Sequence, residues 1–91
     1  MPRPRLQRRV RGKPNSFYFK PDGIRMIDLK ESVLEMEEFE AMKLIDFDKI
    51  SQEKASKKME VSQPTFSRIL KSAREKVAEA IIKGKAIKIE K

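Results

Sequence analysis

The chain has 91 residues, which is enough for one small domain with a modest core. Its formal charge of +8 favours a polyanionic partner such as nucleic acid. The absence of Cys and His excludes disulfides, thiolate or imidazole metal sites, and catalysis by either residue. Since the chain also lacks a glycine-rich phosphate loop and an EF-hand spacing, we expect neither an enzyme nor a bound cofactor or metal.

The hydropathy pattern gives no sign of a membrane protein. No apolar run approaches the roughly 18 residues that can span a bilayer. The basic N-terminus lacks the apolar stretch of a secretory signal. We therefore expect a cytoplasmic protein without a membrane partner.

The first 20 residues contain seven basic residues and no acidic one. Prolines and a glycine there argue against regular structure. We predict a flexible basic arm over residues 1–16 and a single domain over residues 17–91. The arm would lie along phosphates or enter a minor groove, and its alternative is a solvated tail that aids solubility. The arginines expected to contact DNA are Arg3, Arg5, Arg8 and Arg9.

Two short segments flank the central part of the chain. We expect the aromatic run Phe17–Phe19 to pack in the core rather than to stack on bases. The segment Ile24–Leu29 is either strand-like or an extended segment that covers the core. Alternation after Gly84, over Lys85–Glu90, predicts a short C-terminal strand. Its partner would be Ile24–Leu29 or a second copy of the chain.

Between these segments the charge reverses, because residues 31–48 hold seven acids and one base. Apolar residues three apart predict a helix over Met36–Phe47. Glu37 and Glu38 would form an exposed face in its first turn, where the helix dipole favours acids. Because DNA would repel such a face, it should point away from DNA or toward a protein.

The stretch Ser51–Ile82 contains two helical patterns separated by a short turn. Ser51 and Ser62 are preferred N-cap residues, and Pro64 is tolerated in a first helical turn. Two capped helices across such a turn predict a helix-turn-helix. The first helix, Gln52–Met59, should bury Ala55, Ser56 and Met59.

The second helix carries an apolar stripe at the 3.6-residue period, and Gly84 fits its C-terminal cap. The stripe comprises Phe66, Ile69, Leu70, Ala73, Val77, Ala80 and Ile81. The opposite face holds Pro64, Ser67, Arg68, Lys71, Ser72 and Glu75.

Together the hairpin and the basic charge predict binding of duplex DNA in the major groove. Arg68 and Gln63 would read base edges, because Arg suits guanine and Gln suits adenine. Ser67 would lie on the same outward face. The residues expected to contact phosphates are Thr65, Lys71, Lys57 and Lys58.

The segments MPRPR, FKPDG (Phe19–Gly23) and Ser51–Ile89 resemble the DUF134 (UPF0251) family of small prokaryotic proteins. The resemblance implies a mainly α fold with a winged-helix-like three-helix core and a helix-turn-helix similar to sigma-70 region 4. It also implies DNA binding and transcription regulation. In one departure, Glu60 occupies a turn position where the family usually carries glycine.

Two other functions compete with DNA reading. In the first, the chain is a protein-interaction module that docks on transcription machinery through Glu37, Glu38 and Glu40. Alternatively it would bind RNA through the arm and the aromatic run. A homodimer is favoured because small readers of this kind often dimerise to double their half-sites.

Overall fold

The computed structural model describes residues 10–90, which form three α-helices and a three-stranded sheet. This part of the chain is mainly helical. None of its helices is long and apolar enough to cross a membrane. In chain order the elements are β1 (Tyr18–Phe19), β2 (Glu31–Glu35), α1 (Met36–Met42), α2 (Gln52–Met59), α3 (Gln63–Lys83) and β3 (Ala86–Glu90).

The C-terminal strand β3 forms the centre of the sheet, antiparallel to β1 and parallel to β2. The predicted strand is therefore confirmed, and its partners lie in the same chain. The main partner is Glu31–Glu35 rather than Ile24–Leu29. Within Ile24–Leu29, Met26–Asp28 forms a single 3₁₀ turn, in which Asp28 N–H donates to Arg25 O at 3.0 Å. β2 alternates instead, with Ser32 and Leu34 buried.

The helix predicted over Met36–Phe47 is confirmed as α1 followed by a wider π-helical turn over Lys43–Phe47. Its start is fixed by a capping box, in which Glu35 N–H donates to the Glu38 carboxylate at 2.8 Å. The wider turn ends where Asp48 N–H donates to Lys43 O at 2.8 Å.

The core consists of two clusters, and α3 contributes to both. One cluster joins the first half of α3 to α1 and α2, through Ala41, Leu44, Ala55, Met59, Phe66, Ile69 and Leu70. The other joins the second half of α3 to the sheet, through Leu34, Ala73 and Ile89. Because α3 contributes to both clusters, its inward side is packed along most of its length and its other side faces outward.

The predicted stripe of α3 is buried or half-buried from Phe66 to Ala80. Its last residue, Ile81, is exposed, so the prediction was wrong at that position. One residue turns the helix by about 100°, so the step from Ala80 carries Ile81 away from the packed side. In the aromatic run, Phe17 is half-buried against the cluster that contains Ile89, whereas Phe19, two residues further on the same side, is half-exposed. Tyr18 points to the other face, and its hydroxyl donates to Glu31 at 2.9 Å. The core interpretation therefore fits Phe17 best.

Candidate nucleic-acid interface

The helix α2 begins as its sequence predicts. The Ser51 hydroxyl accepts a hydrogen bond from Lys54 N–H at 3.1 Å, which satisfies one free donor of the first turn. Ala55, Ser56 and Met59 are buried as predicted. Small side chains at the first two positions let the backbone of α2 approach its neighbours closely, so α2 sits against the core and exposes its lysines.

The turn between α2 and α3 depends on Glu60, which adopts a left-handed conformation with φ 60° and ψ 45°. Its backbone N–H donates to Lys57 O at 3.1 Å, and Val61 N–H donates to Ser56 O at 3.0 Å. These bonds satisfy the last carbonyls of α2. Glu60 thus adopts the left-handed conformation that glycine favours, although the residue is not glycine.

The first turn of α3 is closed by Ser62, whose hydroxyl accepts from Thr65 N–H at 3.2 Å. The same hydroxyl donates to Thr65 Oγ1 at 3.0 Å. Arg68 donates weakly to that oxygen at 3.5 Å, which directs the guanidinium along the helix. Thr65 is half-buried and belongs to this cap, so it is less accessible than its neighbours.

The outward face of α3 carries four of the residues predicted to meet bases and phosphates. Gln63, Ser67, Arg68 and Lys71 are all exposed on the first half of the helix. At a rise of about 1.5 Å per residue, they extend over about 12 Å of the helix axis. A helix of about 10–12 Å diameter fits the major groove of B-DNA, which is about 12 Å wide.

The lysines of α2 are exposed, and the acidic neighbours of Lys57 and Lys71 neutralise these two only weakly. Lys57 pairs with Glu53 at 3.6 Å and Lys71 with Glu75 at 4.0 Å, both in solvent, where such pairs contribute little. Among residues 10–90, no carboxylate lies within ion-pair distance of Lys58 or Arg68. A phosphate could therefore replace the weak partners at small cost.

Gln52 belongs to this surface, although sequence reasoning missed it. It lines a shallow depression of about 340 Å³ together with Ser67 and Lys71. Its place directly after the cap Ser51, where the first amides of α2 lack helical partners, is the signal that could have identified it. The N-terminus of α2 thus borders the outward face of α3.

Two acids of the segment before α2 are buried, which corrects the exposed position expected for Glu38 and the docking surface expected to include Glu40. Glu38 is buried and accepts hydrogen bonds from Ser72 Oγ at 2.5 Å and from Lys76 Nζ at 2.8 Å. Burial alone would raise the pKa of Glu38, but the bonds from Lys76, Ser72 and Glu35 N–H outweigh it and lower this pKa. Glu40 is also buried and accepts from Gly12 N–H at 2.9 Å.

Two further acids of the segment form ion pairs. Arg74 binds Asp46 through two hydrogen bonds of 2.6 and 3.2 Å, and this guanidinium holds the pKa of Asp46 below its usual value. Asp48 accepts from Lys43 Nζ at 2.8 Å. Glu38 and Asp46 thus hold α1 and the turn that follows it against α3.

The arm arginines Arg3, Arg5, Arg8 and Arg9 lie outside the described residues. The end of the predicted arm nearest the domain contacts α1 through the Gly12–Glu40 hydrogen bond. A Cβ at Gly12 would come within 2.6 Å of Lys43 Cδ and 2.8 Å of Glu40 Oε1, so glycine allows this close approach. Within residues 10–90, no group of three or more acidic side chains is placed to hold a metal ion.

The family of the chain follows from comparison with known proteins. A family model described as a protein of unknown function, DUF134, matches residues 1–91, and the chain belongs to that family. The resemblance seen in the sequence is thereby confirmed. No solved structure matches the chain.

Named relatives carry the matching designation UPF0251. One from Caldanaerobacter subterraneus subsp. tengcongensis is 50% identical over 90 residues, which are 99% of this chain and 76% of that protein. One from Halothermothrix orenii is 51% identical over 99% of this chain and 67% of its own length. One from Clostridium botulinum is 51% identical over 98% of this chain and 57% of its own length.

Proposed function

We propose that this chain is a DNA-binding protein and a transcriptional regulator, with α2 and α3 acting as a helix-turn-helix similar to sigma-70 region 4. The observation that carries the proposal is the outward face of α3, with Gln63, Ser67, Arg68 and Lys71 exposed on a helix anchored on its other side. The proposed role is binding, in the cytoplasm, without catalysis.

In the proposed complex, the first half of α3 enters the major groove. Arg68 donates to guanine O6 and N7, and Gln63 pairs with adenine, each contact contributing about 1–3 kcal/mol of discrimination. Ser67 hydrogen-bonds a base edge or a phosphate beside them. Lys57, Lys58, Lys71 and Thr65 contact phosphates, and the arm arginines add affinity that is independent of sequence. A homodimer would present two such helices to two half-sites.

The rival function, docking of the acidic helix on a protein, loses its main support. Glu38 and Glu40 are buried and bonded within the chain, so they do not offer a carboxylate surface. RNA binding is compared directly in the test below. Phe19 is the exposed member of the aromatic run, whereas Phe17 and Tyr18 are half-buried, so base stacking by the whole run is disfavoured.

The proposal is tested by gel shifts on random duplex DNA at several salt concentrations, with RNA as competitor. We expect affinity to fall steeply with salt, because bound phosphates release counterions. Lys57→Ala should lower the slope of log K against log salt by about 1. Lys83→Ala is the matched control, because Lys83 is an exposed lysine at the far end of α3 and should leave the slope unchanged.

Two results would overturn the proposal. The first is no salt-dependent shift even at low salt, which would return the hairpin to a protein-binding role. The second is preferential competition by RNA, which would assign the basic surface to RNA.

A further inference from the structure

A continuous apolar surface lies away from Arg68. Three large side chains on it are exposed, Phe47 by 80%, Ile81 by 71% and Phe19 by 53%. Phe19 is the common wall of two neighbouring grooves. In a chain of which 40% is charged, a contiguous exposed apolar surface is typical of an interaction site.

The first groove has a volume of about 570 Å³ and runs between residues 13–16 and α1. Its floor is apolar, formed by Phe39, Met42 and Ile89, and Phe47 stands at its edge on the π-helical turn. The second groove, of about 260 Å³, lies between Phe19 and the end of α3, with Ala80, Ile81 and Ile87 in its walls. The two grooves and the Phe19 side chain between them form one continuous surface, which we call the track.

The shape of this track fits an extended partner better than a small molecule. Pockets for small molecules bury about 70–90% of their ligand. Here the walls Phe47, Phe19 and Ile81 are themselves largely exposed, so a small ligand would stay half in water. A peptide segment can cover both grooves and the Phe19 ridge at once.

The charge around the track is positive. Lys13 and Lys43 line the first groove, and Lys20 and Lys85 line the second. Lys43 and Lys85 are paired with Asp48 and Glu79, each at 2.8 Å. Neither Lys13 nor Lys20 has an ion-pair partner among residues 10–90, and Lys20 donates to Ile24 O at 3.4 Å.

Acidic charge on the same track is already bound. Of the described residues that line the two grooves, only Asp46 is acidic, and Arg74 holds it through two hydrogen bonds. The rim therefore attracts carboxylates and repels cations. A second copy of this chain, with a formal charge of +8 and the same lysines, would be a poor occupant.

We propose that this track is the docking site for an acidic amphipathic peptide segment of another protein. Apolar side chains of the segment fill the grooves on either side of Phe19, and its carboxylates bind Lys13 and Lys20. Ile81 follows Lys71, the last residue of the outward face, by 10 residues, which places it about 15 Å further along α3. The proposal does not rest on DNA binding.

The test selects binders of the whole chain from a random displayed peptide library, and measures resynthesised peptides by fluorescence anisotropy. We expect enriched peptides to carry acidic residues together with two or more large apolar ones. Ile81→Ser should weaken their binding by about tenfold or more, because a buried aliphatic contact is lost. Ile82→Ser is the matched control, since Ile82 is adjacent and 80% exposed but lines neither groove, and it should change binding by less than about twofold.

A second pair of variants tests the charge. Lys20→Glu should weaken the same peptides several-fold, whereas Lys88→Glu, a reversal at an exposed position of β3 that lines neither groove, should not. All four positions are exposed, and circular dichroism checks that each variant is folded.

Three results would overturn the proposal. One is an enriched set without acidic residues, or no enrichment at all. Another is an equal effect of the Ile81 and Ile82 substitutions. The third is a dimer, seen by light scattering, that Phe47→Glu dissociates, since a second copy would then occupy the track.

Discussion

Replacing Glu60 by glycine should stabilise the domain. Glu60 ends α2 in the left-handed region, with φ 60° and ψ 45°. There the Cβ of an L-residue lies too close to the following carbonyl oxygen, which costs about 1–2 kcal/mol, whereas glycine has no Cβ. The change therefore relieves strain at the residue where the chain turns from α2 into α3.

The net gain is smaller than the strain, because glycine is also more flexible in the unfolded chain. That flexibility offsets about 0.5–1 kcal/mol. We expect the free energy of unfolding of Glu60→Gly to exceed that of Glu60→Ala by about 0.5–1 kcal/mol. For a domain of this size, the melting temperature should rise by about 2–8 °C.

Glu60→Ala is the control, because it removes the same side-chain contacts and keeps the Cβ. Thermal and urea unfolding of both variants isolate the backbone effect from the loss of the carboxylate. At Lys58, inside α2, the order should reverse, with glycine less stable than alanine by about 1 kcal/mol. The reasoning fails if glycine is no more stable than alanine at position 60, or if it is the more stable residue at position 58.

Two further predictions concern the interior acids. Glu38→Gln should lower the free energy of unfolding by about 1–3 kcal/mol at pH 7, because the bonds from Lys76 and Ser72 weaken. The pKa of Glu38 is lower in the folded state, so its stabilisation is present above the unfolded pKa of about 4.3 and is lost as pH falls through the folded pKa. The gap between wild type and variant in urea unfolding should therefore shrink below about pH 4, and a constant gap down to pH 2 would contradict the assignment. Gly12→Ala should lower the free energy of unfolding by about 1 kcal/mol, because the new Cβ displaces the Glu40 carboxylate or Lys43. Asn15→Ala, at an exposed position of the same segment, is the control and should lower it by less than about 0.5 kcal/mol. Equal losses for the two variants would argue against the close approach at Gly12.

The parts of the fold that the sequence predicts are those set by local chemistry. Ser51 and Ser62 cap their own first turns, and Gly84 ends α3 with φ 71°. The outward face of α3 follows from the helical period alone. These features involve residues within about four positions of one another, which is the range that sequence patterns describe.

The parts that the sequence does not predict depend on distant partners. β2 is a five-residue strand whose partner β3 lies 55 positions later, as in the Glu31–Ala86 pair, and its alternation includes the polar Ser32 on the buried side. Glu38 and Glu40 were expected in solvent because acids are seldom buried unless paired. Their partners, Lys76 and Gly12, lie 38 and 28 positions away, beyond any local pattern.

The most direct test of the proposed function is selection of binding sites from a random duplex library, performed with wild type and with Arg68→Ala. DNA reading by α3 predicts that wild type converges on one motif and that Arg68→Ala relaxes a single guanine position, with a loss of about 1–3 kcal/mol for that site. A palindromic motif would also indicate that the protein binds as a dimer. Failure to converge, or an identical motif bound equally well by Arg68→Ala, would contradict the role given to the outward face of α3.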